Sequence, residues 1–178
     1  MDTVIAQVKS VLISTPKHWQ ILVDSYPGDQ LRQAPAPNEW SALGCLQHLI
    51  DAERNVFPAR LQAFLSGQDF PVFNPARERA KPAAADPVDM AAEFEQLRSE
   101  SLAILNRVKP EDLSRTAQHP QYGLVPLEQV LQEWAAHDLN HTVQAVRALM
   151  QPYIQGSGPW RPLFKDHDVE VSQGHGSA

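Results

Sequence analysis

A single cysteine, Cys45, has no partner for an intrachain disulfide, which excludes a secreted disulfide scaffold. No apolar run approaches the roughly 20 residues needed to cross a bilayer, so no membrane association is expected. The opening MDTVIAQVKSVLI has neither the basic start nor the apolar stretch of a secretory signal, and the expected location is the cytoplasm. Positive charge is also scarce: 15 Lys and Arg stand against 21 Asp and Glu, a formal charge of −6, and no basic run occurs. Phosphate affinity is built mostly from Lys and Arg, so nucleic acid is not an expected partner. Strand signals are few, and QYGLV at 121–125 is the one short extended piece the sequence suggests.

What the chain does have is a folded composition, 43% hydrophobic with 20% charged. At 178 residues it can bury the core of one domain without a metal or disulfide to hold it. Fifteen prolines do the punctuation, clustered at 27–37, 71–87, 110–126 and 152–162. Proline removes a backbone donor and clashes with the preceding turn, so these clusters read as connections. Four helical stretches remain, about 3–24, 40–66, 87–109 and 126–150, each with an apolar stripe of helical period.

Pro58 in the second stretch predicts a kink rather than a split. Asp86-Pro87 gives the third an acidic N-cap followed by proline at the first helical position. The fourth carries Leu127, Val130/Leu131, Trp134, Leu139, Val143, Val146 and Leu149. Four long helices with long connections predict an all-α four-helix bundle over 1–164, followed by a polar, mobile tail at 165–178.

The fourth stretch contains EWAAHDLNHTVQ. His137 and His141 stand four residues apart, a spacing that stacks two imidazoles on one helix face within reach of one metal ion. They continue the line Leu127, Val130, Trp134, which points them into the bundle. His48, in CLQHLIDAE, lies on an inward line with Cys45, Ala52 and Val56. Three inward histidines suit a metal with open positions. A pair four apart also arises by chance among seven histidines, and a core histidine is often satisfied by its neighbours. From the residues alone, a metal site and plain core histidines both stand. No Glu-x-x-His occurs, which disfavours a ferritin-like di-iron site, and Asp138 after His137 rules out HExxH.

In order and content, NEWSALGCLQHLIDAE, HPQYGLVPLEQVLQEWAAHDLNHTVQ and the trailing GPWRPLF resemble the DinB/YfiT-like family of metalloenzymes, over about 3–164. The resemblance implies an antiparallel four-helix bundle with a long crossover. It implies one divalent metal, commonly nickel or zinc, held by His48, His137 and His141. Some relatives carry Glu in place of one histidine; this sequence keeps all three. Relatives include bacillithiol transferases and a mycothiol-dependent maleylpyruvate isomerase, while others are named for induction by DNA damage. A low-molecular-weight thiol, a small-molecule electrophile as substrate, or hydrolysis are therefore the implied chemistries. The alternative is a non-catalytic bundle, a stress-related interaction module whose metal is structural or whose histidines are vacant.

Asp51 and Asp138 flank the histidines and are candidates to hydrogen-bond imidazole N–H groups from behind, against the plainer reading as solvated helix-face acids. Glu53, rotated off the face of His48, is expected in packing or solvent. Cys45 reads as a soft ligand or redox thiol, or as a small buried hydrophobe. His119 is placed in a loop before helix four, and His167 and His175 in the tail. Trp40, Trp134 and Trp160 are expected to pack or wall a pocket. Relatives are often dimers, and apolar residues off the main stripes, such as Val23, Phe73 and Ile104, suggest a homodimer.

Overall fold

The computed structural model describes residues 3–71 and 85–170. The first stretch is helix α1 (Thr3–Ser25), followed by a short α2 (Gly28–Arg32) inside the first proline cluster. The second stretch is two helices, α3 (Ala42–Asn55) and α4 (Phe57–Ser66). Their joint is Val56, at φ −118° and ψ −77°. Pro58 has no amide to donate and its ring crowds the preceding turn, so the chain breaks where only a kink was expected. Ser41 caps α3 by accepting from the Gly44 amide at 3.1 Å.

α5 (Pro87–Leu105) starts as predicted, with Asp86 accepting from the Val88 amide at 2.8 Å. It stops one turn short of Lys109. The next connection forms a hairpin of β1 (Thr116–His119) and β2 (Gly123–Pro126), antiparallel, with Ala117 opposite Val125. The single extended piece expected at 121–125 is its turn and second strand; the first strand was not anticipated. α6 (Leu127–Gly156) runs past the expected end and through Pro152.

α1 and α3 each pack against both α5 and α6, which sets α1 across the bundle from α3. Two apolar clusters fill the interior. One gathers Leu12, Phe57, Leu61, Leu105, Leu131 and Trp134, and the other Trp19, Leu46, Leu49, Phe94, Ala145 and Leu149. Along α1 and α6 the first cluster precedes the second; along α3 and α5 the order reverses. α1 and α6 therefore run one way and α3 and α5 the other, and the long connection from α4 to α5 is the crossover. Between the clusters lies a polar layer holding Thr15, His48, Asp51, Glu53, Arg98, Ser101, His137, Asp138 and His141. No helix among the described residues is long and apolar enough to cross a membrane.

Three expectations change. Leu139, Val143 and Val146 do not join the core stripe of α6 but form an exposed apolar face on it. Val23 is buried and Ile104 partly so, leaving neither as free surface, while Phe73 lies outside the described residues. The expected tail is anchored through Glu170. Asp168 and Val169 are buried, Arg161 pairs with Asp168 at 2.6 Å, and Val169 donates to Gln151 at 3.2 Å. Residues 171–178, with His175, lie outside the described residues.

Candidate metal centre

His48 comes from α3, and His137 and His141 from the facing stretch of α6. The α6 pair is one turn apart, so both rings reach across to His48. One ligand nitrogen from each lies within 4.8 Å of the others. The ring centroids are 4.9 Å (His48–His137), 4.4 Å (His48–His141) and 4.5 Å (His137–His141) apart. The Nε2 atoms of His48 and His137 meet at 2.9 Å. Among the described residues no cysteine or carboxylate joins this group.

Burial keeps these rings neutral. Desolvation, then the charge of His141, pushes His48 down to about 4. Desolvation, then the neighbouring histidines and more distant arginines, pushes His137 down to about 3. His141 is also lowered by burial, opposed by its bond to Gln144. Three neutral imidazoles with a ring nitrogen of each turned toward the others are a donor set that fits a borderline divalent cation such as zinc or nickel, which would displace the proton shared by His48 and His137. The buried Nδ1 of His137 has no hydrogen-bond partner among the described residues, so that ring's only polar contact is the one its Nε2 makes with His48.

The expected supporting acids are elsewhere. Asp138 accepts from Arg98 Nη1 at 2.7 Å inside the bundle. Burial pushes its carboxyl up, against the pull of Arg98. Asp51 accepts from Gln47 Nε2 at 3.1 Å and lies 3.9 Å from Arg54. The group that does reach an imidazole is Gln144, whose Oε1 accepts a hydrogen bond from His141 Nδ1–H at 2.8 Å. A carbonyl there directs the other ring nitrogen inward as a free donor pair. The sequence signal for this pair is the spacing His141–Gln144, three apart on one helix face.

Glu53, expected in packing or solvent, is buried and holds the core together. Its Oε1 accepts from Arg98 Nη2 at 2.7 Å and from Trp134 Nε1 at 2.9 Å, and its Oε2 accepts from Ser101 at 2.5 Å. Arg98 also donates to the Leu12 carbonyl at 3.0 Å, so one guanidinium ties α5 to α1, α3 and α6. This knot sits directly behind the histidines. Cys45 is buried in the second apolar cluster, its thiol pushed up to about 12 by burial, and it donates weakly to Gln144 Oε1 at 4.0 Å without joining the histidine group.

On the outer side Trp40 stacks on His141, centroids 5.5 Å apart and planes 14° apart, and meets His48 edge-on at 4.8 Å. The turn before it passes through Asn38 at φ +68°, a left-handed position that Asn tolerates better than most residues. A cleft of about 260 Å³ opens there, lined by Asn38, Glu39, Trp40, His141 and Gln144. On the inner side Phe57 stacks on Trp134 at 5.1 Å and meets His137 edge-on at 5.2 Å. Among the described residues the imidazoles therefore have an aromatic wall on each side and a small polar opening.

A model of the DinB superfamily matches residues 12–145. Among solved structures, YfiT from Bacillus subtilis is described as a probable metal-dependent hydrolase with an unusual four-helix bundle topology. It aligns with a TM-score of 0.70 at 19% identity, over 81% of this chain and 85% of its own. At that identity the likeness is one of fold. No curated protein sequence matches.

Proposed function

The chain belongs to the DinB superfamily, and from that premise we propose that it is a divalent-metal-dependent enzyme whose His48, His137 and His141 hold one nickel or zinc ion. The observation that carries the reading is the convergence of three neutral imidazoles with no fourth ligand among the described residues. Structural zinc sites usually close with four protein ligands, whereas catalytic sites keep a position open. That contrast favours catalysis over a structural ion in a non-catalytic module. An ion there would act as a Lewis acid, lowering the pKa of water or of a small thiol toward neutrality.

The chain's own residues shape the rest. Gln144 orients His141, and Trp40 with Phe57 keeps bulk water off the two flanks of the cluster. Asn38, Glu39 and Gln144 line the opening with polar groups, and Arg147 stands 3.5 Å from Glu39. An opening this small admits the reacting end of a small electrophile rather than a polymer. Hydrolysis is supported by the description of YfiT as a probable metal-dependent hydrolase; thiol transfer uses the same open position. The test is turnover of small ester, amide and epoxide substrates, with and without added thiol, by metal-loaded and chelator-stripped protein. Turnover should require metal and disappear in His137→Ala. Turnover surviving both changes would refute the proposal.

A further inference from the structure

A second, larger cleft lies between α4, the hairpin and the start of α6. We propose that it is a binding site for a small apolar carboxylic acid, separate from the imidazole cluster. Its volume is about 690 Å³, within the usual range for small-molecule sites. Phe70, Tyr122 and Val130 supply apolar wall, and Arg60, His119 and Glu133 supply the polar groups. None of the three clustered histidines lines it. Phe57 stands between, its ring 5.8 Å from the Arg60 guanidinium on one side and 5.2 Å from His137 on the other.

Two features point to an acceptor-bearing ligand. Arg60 is held over aromatic faces, its guanidinium 5.5 Å from the Phe70 ring, and its side chain is only 14% exposed. Its Nη1 donates to both carboxylate oxygens of Glu133, at 3.0 and 3.3 Å, yet Glu133 is 53% exposed. The cation is largely buried, while its counter-ion stands half in solvent. A ligand carboxylate can take the place of Glu133 without leaving Arg60 unpaired, and Glu133 can turn out to water at little cost.

His119 is the second feature. Its Nδ1 accepts from the backbone amides of Gln121 and Tyr122 at 3.1 and 3.2 Å, so the neutral ring carries its proton on Nε2 and donates from there. Phe70 meets this ring edge-on at 5.0 Å, and Tyr122 stacks on it at 4.7 Å. The cleft thus combines a guanidinium, a ring N–H donor and aromatic surface.

The test is calorimetric titration of metal-stripped, full-length protein with benzoate, benzamide and benzylamine. Benzoate should bind, benzamide should bind about tenfold more weakly, and benzylamine should bind weakest. Glu133→Gln should tighten benzoate binding severalfold by removing the competing carboxylate, and Arg60→Gln should weaken it about tenfold or more. Thermal melts check that Arg60→Gln is folded, and the Glu133 result stands without it. His137→Ala should leave benzoate affinity unchanged, which separates this site from the metal proposal. The inference is overturned by no benzoate binding at millimolar concentration, by benzylamine binding more tightly, or by Glu133→Gln weakening benzoate.

Discussion

Arg98 Nη1 and Asp138 Oδ2 meet at 2.7 Å inside the bundle, one residue along α6 from His137, with both side chains 1% exposed. Removing the guanidinium would leave the carboxylates of Asp138 and Glu53 buried without their cation. Breaking a buried pair in this way typically costs about 3–5 kcal/mol. Arg98→Met should therefore lower the denaturant midpoint by that much stability, with little change in the slope. A loss below about 1 kcal/mol, the scale of a surface ion pair, would show that the knot is not holding the helices.

The histidines set a pH dependence whose sign follows from their burial. In the unfolded chain they take up protons near their ordinary value of 6.5, but in the folded protein only near about 4 for His48 and about 3 for His137. Their contribution to the stability of metal-free protein is thus fully present above 6.5 and is lost as pH falls toward those lower values. Melting temperature should drop across that window, and more shallowly in the His48→Gln/His137→Gln double variant. Metal binding competes with the same protons. The unperturbed histidine value places that competition near pH ~6.5; burial moves it lower, so substantial metal should remain bound at pH 5 and be lost near pH 3.

Gln144 is exposed at its helix surface, and its Oε1 fixes His141 from behind. Losing such an orienting partner usually costs about 10–100-fold in metal affinity. Gln144→Leu should show that loss in competition with a chelator while its melting temperature without metal stays near wild type. Unchanged affinity would mean that His141 needs no orienting bond.

Homodimerisation is proposed on a different surface from the one the sequence suggested. Leu139, Val143 and Val146 make an exposed apolar face on α6, with Val143 59% exposed. Light scattering should give twice the chain mass of 19.8 kDa at micromolar concentration, and Val143→Asp should give the monomer. A monomer mass for the wild type would reject the dimer.

Much of this arrangement was legible before the structure. Proline placement and helical periodicity located the bundle, and the i, i+4 pair on α6 with one inward histidine on α3 located the cluster. The polar knot is harder to see, because charged residues are mostly solvent-exposed and Glu53 suits packing or solvent equally. Yet Arg98 continues the line Met90, Phe94, and Glu53 continues Leu46, Leu49/Ile50 toward Phe57. Each is a charged residue on a core stripe, legible from period once charge is not taken as exposure. The apolar residues Leu139, Val143 and Val146 misled in the opposite direction, since hydrophobicity alone does not choose between a core and an exposed face. The first hairpin strand, TAQH at 116–119, carries no apolar alternation, and its pairing comes from tertiary context. The break at Val56 depends on how one turn accommodates Pro58, which spacing does not specify.

The most direct measurement is the metal content and affinity of purified protein, wild type and variants, by elemental analysis and chelator competition. Wild type should bind one nickel or zinc ion per chain, with a rise in melting temperature that grows with free metal by mass action. His137→Ala should lose most of that affinity and most of the stabilisation, the His137→Ala/His141→Ala double variant all of it, and His167→Ala neither. Stoichiometric binding of equal tightness after both His137 and His141 are replaced would contradict the account.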